Sequence, residues 1–212
     1  MATTLITIRA FVRKDLHDED AAAYRWTDAV LDRHIGRAVA DYSLAAPLEQ
    51  TATFAATPGS RDITHNLVNL VNIEAVEWPV GEFPPRRVGF SVWEATITMD
   101  VVNAPSAADS VRIYYTMMHL LASGSSTIPP AHDELITEGA AGYAALDWTS
   151  FATNRLNTGG DPVFTRYERF AAERLRQFRA DIARLGRANT VRQRRMYTTD
   201  APSIFEQNRV KY

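Results

Sequence analysis

Five histidines, at positions 17, 34, 65, 119 and 132, are the residues on which metal or proton-transfer chemistry would have to rest. None has a partner at ligand spacing. A zinc helix needs two histidines four residues apart with a carboxylate between them, and neither that run nor a paired-carboxylate motif is present. His132-Asp133-Glu134 has the composition of an acid–base cluster, yet carboxylates in a helix's first turn already compensate its dipole. His34 falls on the flank of an apolar stripe and His119 between a strand and a turn, where structural histidines sit. Gly124-Ser125-Ser126 lacks the Gly-x-Ser-x-Gly elbow that raises a nucleophilic serine above a sheet. The glycine patterns that cradle nucleotide phosphates are missing too. With no cysteine, disulfides and Cys-based zinc sites are excluded. The residues predict no catalytic centre, no cofactor and no metal. The enzymatic alternative left open is a small cytoplasmic hydrolase using Ser125 or His132, and a binding module is the other.

The elements that position these residues centre on 111–146. Val111, Ile113 and Tyr115 alternate with Arg112 and Tyr114 as in a strand, and by Leu135 the apolar spacing has become helical. The Ser/Gly run 123–127 is a turn between them. Pro129 and Pro130 suit the start of a helix, and Asp133 and Glu134 suit its first turn. That helix is expected to run from Pro130 to about Leu156, with Ile136, Ala140, Tyr143, Ala144 and Phe151 buried. Gly139 and Gly142 cost it about 1 kcal/mol each relative to alanine, so Gly139, Gly142 and Tyr143 predict a face approached closely by another element.

Upstream, Leu5, Ile8, Val12 and Leu16 recur at helical spacing after Thr3-Thr4, although Thr-Leu-Ile-Thr-Ile also fits a strand start. After the acidic loop Asp18-Glu19-Asp20, Thr27 is placed to cap a second helix, with Trp26 stapled onto Leu31 and with Leu31, Ile35, Ala38, Val39 and Tyr42 on one face. Pro47 stops it. From Leu48 to Thr116 the period is mostly two, giving a β module of about four or five strands. Trp93-Glu94-Ala95-Thr96 reads as its tight hairpin, and 78–85 as an irregular loop in which Trp78 and Phe83 either contact a partner or cap the core. A last helix, roughly 162–185, carries Phe164, Tyr167, Ala171, Leu175, Phe178, Ile182 and Leu185 on one face. The expected fold class is α+β, a bundle of about four helices (1–47 and 117–186) with an inserted small antiparallel β module (48–116). An extended C-terminal arm (187–212) completes it.

Charge is uneven. Residues 161–212 hold 12 Lys/Arg and 6 Asp/Glu, net +6, whereas residues 1–160 hold 11 and 19, net -8. In the arm, Arg192, Arg194 and Arg195 stand with Tyr197, Ile204, Phe205 and Tyr212, which are larger and more apolar than a spacer needs. They predict a docking arm steered by its arginines. No apolar run approaches the ~18 residues that span a bilayer, and Arg9, Arg13, Lys14 and Asp15 interrupt the N-terminal Leu5 to Leu16, so no membrane partner is expected and the chain reads as made and kept in a cytoplasm.

Several of these stretches together resemble the head-to-tail adaptor proteins of tailed bacteriophages. They are Arg25-Trp26-Thr27-Asp28, Leu31-Asp32-Arg33-His34-Ile35 with Tyr42, Tyr114-Tyr115 with His119, and Ser126-Thr127-Ile128-Pro129. Gly139-Ala140-Ala141-Gly142-Tyr143-Ala144 follows, then Tyr167 with Arg174-Leu175 and Phe178. Their order along the chain carries the resemblance, since each alone is a helix start, a turn or a core face. The resemblance implies a non-enzymatic virion subunit of the head–tail neck, made in the host bacterial cytoplasm. It also implies a homo-oligomeric ring, usually of twelve copies, whose arms dock on the portal protein. The next tail or nozzle (stopper) protein lies below, and genomic DNA passes without specific contact. The β insert departs from the smaller all-helical members of that family.

Overall fold

Thr4 and Thr27 set the first two helices. The Thr4 side chain accepts a hydrogen bond from the Thr7 amide, opening α1 (Leu5–Asp15), and Thr27 does the same for Val30 at the start of α2 (Asp28–Ala45). With Ile8 and Val12 wholly buried, the helical reading of the N-terminal stretch prevails over the strand reading. The computed structural model describes residues 3–107, 109–152 and 163–193.

A single 3-10 turn, Pro130–His132, precedes α3 (Asp133–Ala152), so the α-helix proper starts three residues later than the prolines suggest. Residues 139–145 of α3 are buried without a break, which is the mark of a helix covered on every side. Helices α1, α2 and α4 (Val163–Gln193) supply that cover. Gly139 faces Phe178 and Gly142 faces Leu175, so α3 and α4 run antiparallel. The helical core holds the predicted Leu31, Ile35, Ala38, Val39, Tyr42, Ile136, Ala140, Tyr143, Ala144, Ala171, Leu175 and Phe178. The side chains of Phe151 and Phe164 lie outside the described residues.

The β module has six strands: β1 (Leu48–Ala55), β2 (Asp62–Thr64), β3 (Leu70–Glu77), β4 (Arg87–Trp93), β5 (Thr96–Asp100) and β6 (Ser110–Met117). This exceeds the expected four or five because β2, at three residues, is too short to display an alternation. They form one antiparallel sheet in the order β1-β6-β3-β4-β5-β2. A second, separate core fills its concave side with Ile63, Ile73, Val76, Ile97, Met99, Val111 and Ile113. The two-residue turn Glu94-Ala95 closes the β4–β5 hairpin as its sequence predicts, Trp93 pairing with Thr96.

One boundary differs. α4 continues to Gln193, so 187–193 of the expected arm are helical. The apolar stripe does stop near Leu185, but Ala188, Asn189, Thr190 and Val191 contain no glycine or proline to end the helix.

Candidate assembly site

Two arginines four residues apart on α1 face two aspartates four residues apart on α2. Arg9 donates from Nε and Nη2 to the two Asp32 oxygens at 2.8 and 2.7 Å, and from Nη1 to Asp28 at 2.8 Å. Arg13, 6% exposed, donates to Asp18 and to Asp28 at 2.7 Å each and to the Trp26 carbonyl at 3.0 Å. Asp18, 7% exposed, also accepts from the Arg25 and Trp26 amides. The hydrogen bond from Arg13, with the nearby Arg9 charge, holds the Asp28 carboxyl below the usual carboxylate range. The acidic loop is thereby pinned to the start of α2. Sequence reading treats Arg9 and Arg13 only as charges that interrupt an apolar run; the matched i, i+4 spacing of Arg9/Arg13 and Asp28/Asp32 is the signal it passes over.

That pin fixes Trp26. Its ring meets Trp148 edge-on at 5.7 Å and Tyr167 at 6.2 Å, and its Nε1 donates to the Ala144 carbonyl at 3.3 Å. The Arg25 guanidinium faces the same rings, 4.9 Å from that of Trp148, and donates to the Tyr167 hydroxyl. Further along, a Cβ on Gly139 would lie 2.7 Å from two ring carbons of Phe178, and one on Gly142 would lie 2.9 Å from Leu175. Tyr143 packs edge-on against Phe178 at 6.2 Å, carries Arg37 over its ring at 4.0 Å and donates to Asp41. Burial, then the hydrogen bond to Asp41, pushes its phenol above the ordinary value. Gly139, Gly142 and Tyr143 thus lie at the contact between α3 and α4 within the chain.

Three of the histidines, His34, His119 and His132, are held by the framework. His119 Nε2 donates to the Ala46 carbonyl at 3.0 Å, its Nδ1 lies 3.0 Å from Thr127 Oγ1, and its amide donates to Ser43 Oγ at 3.0 Å. It ties the exit of β6 to the end of α2 and to the turn before α3. His132 Nδ1 lies 2.7 Å from the Tyr42 hydroxyl, and the Tyr42 ring meets His132 edge-on at 5.4 Å and His119 at a tilt at 5.1 Å. Ser125 is exposed on the 123–127 turn. His34, 4% exposed, is beside Asp147, with Nε2 3.6 Å from its carboxylate. Burial lowers both His34 and His119 below the ordinary imidazole range. Among the described residues no cluster of His, Asp and Glu could hold a metal ion, and no described helix is long and apolar enough to cross a membrane.

The β module carries the most exposed of the large apolar groups. Glu77, buried at the end of β3, accepts from the Tyr114 hydroxyl at 2.6 Å and from Arg112 and the Gly81 amide at 3.5 Å each. The Tyr114 bond leads in holding its carboxyl below the usual range. Glu77 so anchors the 78–85 loop, in which Trp78 folds back onto the sheet core while Phe83 stands 96% exposed. Trp93 at the hairpin tip and Val102 beyond β5 are also exposed. An apolar cleft of about 320 Å³ runs along α2 at the junction with the sheet, lined by Gly36, Val39, Ala40, Met118, Leu120 and Leu121 among others.

The basic excess belongs mainly to α4. Residues 163–193 hold eight arginines against Glu168, Glu173 and Asp181, net +5 of the +6 counted for 161–212. Of the predicted arm residues, Arg192 is in the last turn of α4, its side chain outside the described residues. Arg194, Arg195, Tyr197, Ile204, Phe205 and Tyr212 also lie outside them.

No protein-family model matches the chain, and no curated protein matches its sequence. Among solved structures it is similar to a chain in the neck of an empty GTA particle computed with C6 symmetry. The identity is 14% and the TM-score 0.30, over 80% of this chain and 92% of that one. A chain of the virion of a native gene transfer agent (GTA) particle is similar at 16% identity and a TM-score of 0.29, over 80% and 89% of the two chains. A chain in the neck of the native GTA particle computed with C12 symmetry gives 16% and 0.26, over 80% and 93%.

Proposed function

We propose that this chain is a structural virion protein, an adaptor ring subunit that joins the portal of a tailed phage capsid to the tail and forms part of the DNA channel. The observation that carries the reading is where the resembling stretches meet. Arg25-Trp26 before α2, Gly139–Ala144 of α3, and Tyr167, Leu175 and Phe178 of α4 are far apart in sequence but pack into one cluster. These resembling stretches therefore meet in one helical scaffold, while Tyr114-Tyr115 lies on β6 of the β module, which is built around its own core.

A ring made by head-to-tail contacts needs two different patches on each copy. The arginine-rich α4, net +5, and residues 1–160, net -8, supply charge of opposite sign for such patches. Acidic groups facing the channel let DNA pass without sticking. Asp18 is consumed by Arg13, which leaves exposed Glu19 and Asp20 of the acidic loop for that role. The arm, with Arg192, Arg194, Arg195, Tyr197, Ile204, Phe205 and Tyr212, docks on the portal, and exposed Phe83, Trp93 and Val102 suit the sheet to the next tail or nozzle protein. Electron microscopy of the protein mixed with the portal of its own particle tests this. Rings seated on the portal, twelve copies expected, support it; a protein that stays unattached at both low and physiological salt overturns it.

A further inference from the structure

The two edges of the sheet are unequal. β2, at one edge, has three residues, and short edge strands resist pairing with other chains. At the other edge, all eight residues of β1 pair with β6 in one uninterrupted register, with no bulge to twist the edge away. Leu48-Glu49-Gln50-Thr51-Ala52-Thr53-Phe54-Ala55 contains no proline or lysine and a single charge, Glu49. Among the described residues nothing pairs with the outer side of β1. The Ala56 amide donates to the Asp109 carbonyl at 3.0 Å, one step beyond the Ala55–Ser110 pair. An antiparallel strand turns alternate residues toward each neighbour, so Gln50, Ala52 and Phe54 bond to β6 while Glu49, Thr51, Thr53 and Ala55 turn their amides and carbonyls outward. Pro47, next in that outward row, has no amide to donate and ends it. An edge with none of the usual protections is a template for an added strand.

That edge is complementary to itself. Opposite residues of an antiparallel pair share one face of the sheet, and a bonded pair must aim its amides and carbonyls at each other. A second copy turned by half a turn about Ala52 meets both conditions. Thr51 then falls opposite Thr53, Glu49 opposite Ala55 and Ala52 opposite itself, and every outward residue both donates and accepts. Centred on Thr51 instead, the Ala55 carbonyl would face Pro47, which cannot donate. The side chains agree with the Ala52 centre. Thr51 and Thr53 are exposed, and they meet as β-branched cross-strand pairs. The two Glu49 carboxylates lie at opposite ends of the pairing, about 20 Å apart, so no like charges oppose each other. Helix α4 packs upstream of the paired stretch, where Asn189 Nδ2 donates to the Ala45 carbonyl at 3.3 Å.

We propose that β1 pairs with β1 of a second copy in this antiparallel register, joining the two six-stranded sheets into one. The sheet has one such edge, so the pairing closes at two copies and does not propagate. The inference goes beyond the adaptor reading and does not rest on it. A ring turns all its copies about one axis and has no place for this twofold contact, so the pair is the form of the free chain and opens before a ring is built. Light scattering on the free, full chain tests it without any portal. The unchanged protein should have the mass of two copies, and the Thr51→Glu/Thr53→Glu variant the mass of one, because it sets carboxylates directly opposite each other across the pairing. Both threonines are exposed and Thr53 lies opposite Arg112 in β6, so the variant opposes no like charge within the fold. Residue-resolved hydrogen exchange reads the edge itself. In the unchanged chain the outward amides of β1 should be as protected as those bonded to β6; in the variant the outward set should exchange at least about tenfold faster while the inward set is unchanged. The cysteine-free chain also allows a test of register. Ala52→Cys should oxidise to a disulfide-linked dimer, since the Cα atoms of such a non-hydrogen-bonded pair are about 4.5 Å apart, within disulfide reach. A free chain of any size other than two copies, a dimer that survives the Glu variant, or Ala52→Cys chains that do not crosslink overturn the proposal. Outward amides that stay protected in a monomer would assign the edge to the same chain and overturn it as well.

Discussion

Replacing Gly139 by alanine adds one methyl group to the most crowded point between α3 and α4. Its carbon would fall 2.7, 2.7 and 2.8 Å from Cε2, Cζ and Cδ2 of Phe178, about 1 Å inside the ~3.5–4.0 Å optimum for carbon pairs. The ring has no exposed side to retreat to, being 0% accessible and braced by Tyr143. Overpacking of this kind costs roughly 1–3 kcal/mol. Against it stands the helix propensity of alanine over glycine, about 1 kcal/mol in favour of the variant. The net effect in the natural background is a loss of up to about 2 kcal/mol. The two effects separate in a Phe178→Leu background, because leucine has no atoms at the Cε2 and Cζ positions. There the propensity gain should dominate, and Gly139→Ala should stabilise by about 1 kcal/mol. Urea unfolding followed by circular dichroism at 222 nm gives the four corners of the cycle, and the expected coupling is on the order of 1–3 kcal/mol. If Gly139→Ala stabilises the natural background, or has the same effect in both, the close approach of Phe178 is not why a glycine stands there.

Arg13→Met should leave Asp18 buried without its cation and cost on the order of 3 kcal/mol, with Arg13→Met/Asp18→Asn recovering much of it in urea unfolding. For pH, burial lowers His34 and His119 in the folded protein. As pH falls below about 6.5 the unfolded chain therefore binds protons that the folded chain refuses. Stability from these two groups is fully present above that value and is lost as pH falls toward their folded pKa values. The urea midpoint should be lower at pH 5.5 than at pH 7.5, with the slope reduced in His34→Gln/His119→Gln; a midpoint that rises on acidification would contradict the neutral, buried state of these rings.

Local physics was legible from the sequence wherever one element could be read by itself. Thr27 with Asp28 announced the start of α2, because capping is settled within one turn. Trp93 to Thr96 announced a hairpin, because a two-residue turn leaves the flanking strands no other register. The glycines of α3 implied a close neighbour, since their propensity cost needs compensation, but not which neighbour. That required Phe178 and Leu175, some 33–39 residues away, to be brought onto them by an antiparallel α4. Arg13 looked like a solvated interruption of an apolar run, and only the packing of α1 against α2 made it a buried cation with two aspartates. The same holds for Asp18, whose place in an acidic run suggested exposure until Arg13 and two backbone amides claimed it. Sheet order, the open edge of β1 and the exit of α4 beside Ala45 depend on contacts between residues distant in the chain, each chosen by competition among many possible partners. Periodicity says which face of an element is apolar; only the folded chain says what covers it.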